Sequence, residues 1–174
     1  MQKENSMPSG RSAFILANEG ATALEKCALC RMCELVCSIR HYGVANPRRS
    51  SIHIEYDGAS EIKPRLCTQC RTHPCVPACP RGALAVDAAT SVYAVDPDKC
   101  DGCQDRPKPL CVEACPVRGA LRLDPVELKI LKCDLCGGDP ACVGICYAGV
   151  LKIVDLQKGT RKTFKGVENI STRA

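Results

Sequence analysis

Sixteen cysteines are laid along the chain in four quartets, and each quartet has the same outline. They are Cys27, Cys30, Cys33 and Cys37; Cys67, Cys70, Cys75 and Cys79; Cys100, Cys103, Cys111 and Cys115; and Cys133, Cys136, Cys142 and Cys146. Each opens with C-x2-C and closes with C-x3-C. Only the gap between changes: two residues in the first quartet, four in the second, seven in the third and five in the fourth. Three thiols on one tight loop face a common centre, and the fourth, three residues on, is carried away by a short helical turn. Such a chain has room only for short helices and strands between its thiol-bearing loops.

The first quartet, CALCRMCELVC, has the spacing with which bacterial ferredoxins hold 4Fe–4S clusters. The second and third add the proline that often follows the last ligand, as Cys79-Pro80 and Cys115-Pro116. Four quartets of this form imply four 4Fe–4S clusters and an electron carrier. In two-cluster ferredoxins the fourth cysteine ligates the other cluster, so quartets work in pairs, and four make two pairs. All sixteen cysteines are candidate iron ligands.

Composition agrees with cluster-filled interiors. The chain has no Trp, four Tyr and two Phe, so an aromatic core is not expected. Its apolar residues are mostly Ala, Val, Leu and Ile, and metal binding would supply much of the folding free energy. Cysteine at about 9 per cent would suggest disulfides in a short secreted chain. Here the N-terminus lacks an apolar signal core, and Arg48-Arg49 lies too far inside to be a twin-arginine signal. A reducing cytoplasmic setting is expected. No stretch approaches the ~20 apolar residues of a membrane span, so no direct membrane insertion is expected. The formal charge of +5 counts cysteines as neutral. Four oxidised clusters with their thiolates add roughly −8, leaving a holoprotein near −3 and no case for nucleic-acid binding from basicity. Arg31, Arg71, Arg81, Arg118 and Lys132, all near ligands, are candidates to offset cluster charge.

Residues 1–12 read as a flexible leader and Ala13–Ala17 as a strand. Residues 34–36 should form the short helix between Cys33 and Cys37. Gly43, Asn46 and Pro47 mark a loop, and Ile52, Ile54 and Tyr56 alternate as in a half-buried strand. Asp57-Gly58 is a turn, after which 61–66 returns to the second quartet. Residues 83–86 and 92–95 look like paired strands feeding into Cys100. The pattern recurs at 120–123 and 127–131 before Cys133, and again as CYAGVLKIV. This internal repeat covers most of residues 27–154. Residues 155–174 read as a polar tail, disordered or wrapped on a partner.

Other chemistries fit less well. Four-cysteine zinc sites also pair C-x2-C motifs, but usually far apart and without a fourth Cys at x3 followed by Pro. The radical-SAM order C-x3-C-x2-C would need cysteine where Ala23, Lys26 and Arg40 stand. No C-x-x-C is followed by His, which excludes covalent haem attachment. His41, His53 and His73 could each hydrogen-bond a cluster or serve as plain surface or packing residues. No nucleophile, general base or phosphate loop stands out, so a catalytic role is not expected.

The residues resemble the four-cluster ferredoxin-like electron-transfer subunits of multisubunit redox enzymes, over nearly all of 13–154. The stretch CELVCSIRHYGVANPRRSSIHI looks like the segment after the first quartet in subunits accompanying tungsten aldehyde-oxidoreductase-type enzymes, including the tungsten-dependent benzoyl-CoA reductase. The pattern departs from simple ferredoxins at Ser38 and Tyr147, which replace the proline after Cys37 and Cys146. The resemblance implies an α+β fold of two bacterial ferredoxin-like modules, each with two clusters. The inner module (61–124) is inserted in the outer (13–60 plus 125–154), with 155–174 as the tail. It also implies that quartets pair first with fourth and second with third. Cys27, Cys30, Cys33 and Cys146 would hold one cluster, and Cys133, Cys136, Cys142 and Cys37 its neighbour. Cys67, Cys70, Cys75 and Cys115 would hold a third, and Cys100, Cys103, Cys111 and Cys79 the fourth. The implied role is a relay between a catalytic subunit, tungsten- or molybdenum-pterin foremost, and a second electron-transfer subunit or ferredoxin within a hetero-oligomer. A free-standing polyferredoxin is the alternative, and a zinc-binding interaction module the remoter one. Loops 71–74, 104–110 and 137–141 are candidate partner contacts.

Overall fold

The repeat seen in the sequence becomes a series of thiol-bearing loops, each feeding a short antiparallel strand pairing. The computed structural model describes residues 13–17, 27–56, 62–70, 72–88, 92–155 and 160–162. Strand β2 (His53–Tyr56) pairs with β3 (Ile62–Arg65), β4 (Leu84–Val86) with β5 (Tyr93–Val95), and β6 (Arg122–Leu123) with β7 (Ile130–Leu131). After the last quartet, β8 (Leu151–Asp155) runs between β1 (Ala13–Ala17) and β9 (Thr160–Lys162). The β1–β8 register, Ala13 opposite Asp155 through Ala17 opposite Leu151, ties the segment before the first quartet to the strand after the fourth.

Local sequence explains most of these elements. Ile52 and Ile54 turn inward and are buried, whereas Tyr56 is 53 % exposed, so the alternation of that strand ends at the hairpin tip. Residues 127–129, expected in strand, instead close a loop: Leu128 N–H donates to the Asp124 carbonyl (3.0 Å), and Asp124 N–H to that of Lys129 (2.7 Å). The leader 1–12, the Asp57-Gly58 turn and Arg71 lie outside the described residues. Within the stretch read as a tail, Thr160–Lys162 extends the β1–β8 sheet.

The helices differ from expectation in one respect. Helix α1 spans Met32–Tyr42, eleven residues, and runs through Cys37 instead of ending before it. The physical reason is the residue after the cysteine. A proline there forces the preceding residue out of helical conformation; Ser38 does not, and its hydroxyl donates back to the Leu35 carbonyl at 2.9 Å. The helix stops at Gly43, whose φ of 68° suits a left-handed cap and whose N–H reaches the Ile39 carbonyl. Helices α2 (Leu110–Ala114) and α3 (Ala141–Ile145) are single turns that each follow a proline, carry the third cysteine of their quartet, and present the fourth at the C-cap. Helix α1 packs against α3, bringing the first and fourth quartets together.

Two buried cores result. One joins Ile52, Leu66, Val92, Leu135, Val143 and Leu151 with Cys37, Cys67, Cys133 and Cys142. The other joins Leu84, Ala120, Leu121 and Ile130 with Cys75 and Cys111. They contain few large side chains, each worth about 1.5–3 kcal/mol when fully buried. Cysteines occupy the space between them. A buried ion pair adds a long-range tie: Arg49 Nε lies 3.2 and 3.0 Å from the two Asp124 oxygens and Nη2 2.8 Å from Oδ2, with Tyr42 stacked beneath the guanidinium at 3.9 Å. Among the described residues, no helix is long and apolar enough to cross a membrane.

Candidate iron–sulfur sites

The four C-x2-C loops share one backbone geometry despite unrelated side chains. In each, the residue just before the second cysteine has positive φ: Leu29 at 52°, Gln69 at 50°, Gly102 at 67° and Leu135 at 58°. That left-handed residue turns the chain so that both thiols face the same side. Backbone N–H groups then approach sulfur. Gln69 N–H lies 3.4 Å from Cys67 Sγ within the loop. Three more come from the segments that follow or pair with a loop: Ser51 to Cys37 and Ala83 to Cys79, both 3.4 Å, and Ile130 to Cys100 at 3.5 Å. Such donors stabilise thiolate charge and help set a cluster's potential.

The sixteen thiols gather in groups that mix quartets. Cys27, Cys30 and Cys33 line one cavity with Cys146 and the apolar side chains of Met32, Ile54 and Ile145. Cys67, Cys70 and Cys75 line another with Cys115. The thiol of Cys111 is pushed up to about 12 by burial first, then by the negative charge of Cys79, Cys103 and Cys100. Burial raises Cys142 further, and its neighbours in order are Cys133, Cys37 and Cys136, then Cys33. Cys33 also rises to about 12, through burial, then Glu34, then Cys146 and Cys30, with the Glu34 N–H opposing. The two cavities each hold three members of one quartet and one visitor, while Cys79 bears on the third quartet and Cys37 and Cys33 on the fourth. Buried thiols this close cannot all ionise unless cationic metal enters among them.

The spacing of the sulfurs speaks to which metal. A tetrahedral zinc with Zn–S near 2.3 Å requires sulfurs about 3.8 Å apart. Among the described residues, which include all sixteen cysteines, no three sulfurs lie within 4.8 Å of one another. The one trio of potential ligand atoms that close is His41, Asp134 and Cys136. His41 Nε2 sits 3.6 Å from Cys136 Sγ and 3.5 Å from Asp134 Oδ1, and Cys136 already belongs to the fourth group. Thiols spaced more widely than one tetrahedral ion requires are compatible with a polynuclear iron–sulfur group.

The charged residues singled out in the sequence take different positions. Arg31 reaches Glu34 at 3.7 Å, and Arg81 holds Asp101 at 2.7 Å, linking the end of the second quartet to the start of the third. Arg118 is exposed, and Lys132 is buried. His73 stacks on Tyr93, with ring centroids 3.4 Å apart. His53 Nδ1 lies 3.0 Å from Glu34 Oε1. Three residues carry more of the site than their sequence suggested. Glu34, completely buried on α1, accepts the Ile54 N–H at 2.8 Å and so pins β2 to the first loop. Gln69 bonds the backbone of Tyr93 and the carbonyl of Cys133 (2.7 Å), joining the second and fourth loops. Asp124 anchors Arg49. Glu34 sits one residue past a cysteine, which is a usable signal; Gln69 and Asp124 give none without coordinates.

Comparison with known proteins follows the same lines. Residues 59–156 match the 4Fe-4S dicluster domain family. The aliphatic sulfonate oxidoreductase, polyferredoxin-like subunit, of Pyrococcus furiosus is 41 % identical over 133 residues, covering 75 % of this chain and 73 % of that one. The NADH-dependent phenylglyoxylate dehydrogenase subunit beta of Aromatoleum evansii is 37 % identical over 73 % of this chain, but the chain spans only 28 % of its length. Among solved structures, the active-site complex BamBC of benzoyl coenzyme A reductase with benzoyl-CoA aligns over 84 % of this chain and 79 % of that one, at 23 % identity and a TM-score of 0.43. The chain thus belongs to the 4Fe–4S dicluster family, as a ferredoxin-like iron–sulfur electron-transfer subunit of oxidoreductases.

Proposed function

We propose that the chain carries four 4Fe–4S clusters and relays electrons between a catalytic subunit, of the tungsten- or molybdenum-pterin kind, and a second redox partner in the cytoplasm. The observation that carries this reading is the mixing of quartets: two cavities are each lined by three thiols of one quartet and one of another. Cys27, Cys30, Cys33 and Cys146 ligate one cluster, and Cys133, Cys136, Cys142 and Cys37 the next. Cys67, Cys70, Cys75 and Cys115 ligate a third, and Cys100, Cys103, Cys111 and Cys79 the fourth. The outer pair of sites and the inner pair then form two ferredoxin-like modules, one nested in the other, which share a core where Leu66, Cys67 and Val92 pack with Cys37, Cys133 and Leu135.

Neighbouring thiols support an order along the wire. Cys33 of the first site bears on Cys142 of the fourth-quartet site, and Cys67 of the second-quartet site bears on Cys133. The sequence of sites is first, fourth, second, third quartet, with the Cys67–Cys133 approach as the crossing between modules. The clusters supply reversible one-electron storage. The chain's own residues fix the ligand loops, exclude water and place N–H donors on sulfur. The resemblance of the stretch folded as α1, the turn Pro47–Arg49 and β2 favours a tungsten-type partner. The name of the Pyrococcus furiosus relative independently favours an oxidoreductase subunit over a free shuttle.

A metal and sulfide inventory of the complex isolated anaerobically tests the reading. About sixteen irons and sixteen sulfides per chain are expected, with tungsten or molybdenum in constant ratio. Iron and sulfide near half that level would refute four clusters. A chain that purifies alone would return the free-standing polyferredoxin, and zinc without sulfide would sink electron transfer altogether.

A further inference from the structure

We propose that His41 is a tuning residue of the fourth-quartet cluster, with its Nε2–H donated to the sulfur of Cys136. The inference rests on the four-cluster reading above and adds to it a residue, an atom and a direction. In the sequence His41 is one histidine of three, with nothing to single out a partner. The fold supplies one. Helix α1 runs through Cys37 to Tyr42, because serine and not proline follows that cysteine. His41 therefore stands four residues after Cys37, one turn further along the same face. Cys37 packs in the core that holds Cys133, Leu135 and Cys142, and α1 lies against α3, which carries Cys142. One helix thus brings to the fourth loop both a visiting thiol and, a turn later, an imidazole. After Cys79 and Cys115, where proline follows, no helix continues past the cysteine.

The two acceptors around the ring fix its tautomer. Nε2 lies 3.6 Å from Cys136 Sγ and 3.5 Å from Asp134 Oδ1. A thiolate bound to iron and a carboxylate have no proton to give, so the nitrogen facing both must carry the hydrogen. The two contacts are not equal. At 3.5 Å an N–H···O contact is past the ordinary range of about 2.7–3.2 Å. That oxygen also accepts the Cys136 N–H at 2.8 Å, which holds the turn that presents the cysteine. Sulfur is the larger atom. Backbone N–H groups elsewhere in the structure approach it at 3.4 and 3.5 Å, so 3.6 Å suits a donor to Sγ. One electron entering the cluster takes its total charge, with four thiolates, from about −2 to about −3. A donor on a ligand sulfur holds the more negative state better. His41 therefore raises the potential of the fourth-quartet cluster. Unlike the backbone donors to sulfur, it is a side chain and can be removed by substitution.

The test is an EPR-monitored redox titration of the anaerobically isolated complex carrying His41→Phe, which keeps a ring and removes the donor. The resonance lost or altered by Cys142→Ser marks the fourth-quartet cluster. Its midpoint should fall in His41→Phe while the other three hold. His41→Gln, whose amide restores an N–H, should return it toward the wild-type value. An unchanged or raised midpoint, a shift of another cluster in its place, or an equal fall in His41→Gln would overturn the proposal. Should His41→Phe lose iron, His41→Ala is titrated in its place with the same expectations. If both lose iron, retention in His41→Gln supports a need for the donor, and loss in His41→Gln overturns it in favour of packing. A wild-type complex with no fourth-quartet resonance would instead defeat the function proposed above.

Discussion

Gly102→Ala is a direct probe of how tightly the third thiol loop is built. Gly102 has a φ of 67°, and a Cβ added there would stand 1.9 Å from the Leu128 carbonyl oxygen and 3.0 Å from a Leu123 methyl. Ordinary contact begins near 3.4 Å, so the carbonyl would have to retreat by about 1.5 Å. It is not free to do so. The loop is closed by the Leu128-to-Asp124 and Asp124-to-Lys129 bonds, and Asp124 is clamped by Arg49. Two residues on, Ile130 N–H is the donor to Cys100 Sγ. Gly43→Ala supplies the control, because its φ is 68° and its Cβ would meet nothing within 4 Å. Both variants incur the left-handed cost of about 1–2 kcal/mol. Only Gly102→Ala adds overpacking, about 1–3 kcal/mol more, or roughly 2–12 °C in unfolding midpoint for a chain of this length. Anaerobic thermal scans beside iron analysis would read it, with the third-quartet cluster lost first. If Gly102→Ala kept all its iron and melted with Gly43→Ala, the close approach of Leu128 to the ligand loop would be wrong.

Two further outcomes follow from the same geometry. Cys146→Ser should disturb the cluster of the first loop, read as a changed EPR signature; a change confined to the fourth loop's cluster would refute the crossed pairing. The Asp124 carboxyl feels burial, which raises it, but the Arg49 hydrogen bond and the Val126 N–H outweigh that and hold it below the usual carboxylate range. Its contribution to stability is therefore present above the unfolded value of about 3.9 and lost as pH falls through the lower folded value. The acid limb of an unfolding-midpoint profile should flatten in Asp124→Asn, and an unchanged acid limb would remove Asp124 from the pH response.

Much of this architecture could be read from the chain because the ligand pattern and the strand pattern repeat together. Each quartet announces its loop, and the apolar runs after Cys79, Cys115 and Cys146 announce β4, β6 and β8. The length of α1 was legible in principle, since Ser38 in place of proline removes the stop. What stayed hidden is long-range. Arg49 and Asp124 are 75 positions apart, and Gln69 and Cys133 are 64 apart; Arg49, Asp124 and Gln69 each look like an ordinary surface residue until the fold places the partner. β9 was hidden for another reason: Thr160–Lys162 has a polar composition that says disorder, and it is paired only because β8 offers an open edge.

The left-handed residues of the thiol loops carry a final consequence. Glycine would be the local choice at such a position, yet three of the four loops place Leu29, Gln69 or Leu135 there, and glycine appears only where the Leu128 carbonyl leaves no room for a side chain. Local preference therefore does not set these turns, since each non-glycine residue gives up roughly 1–2 kcal/mol to hold them. Something outside the loop must impose the conformation, and backbone packing is a poor candidate because the cores are small and are themselves made partly of cysteine. On the four-cluster reading, bonds from thiolate to iron would act on the residues flanking each strained position, and structural metal binding contributes on the order of 10 kcal/mol or more. On that reading the loops would be shaped by their clusters as much as they shape them. The strain also explains why unlike side chains are tolerated there: the constraint acts on φ, while Leu135 packs into the core and Gln69 turns to join the two modules.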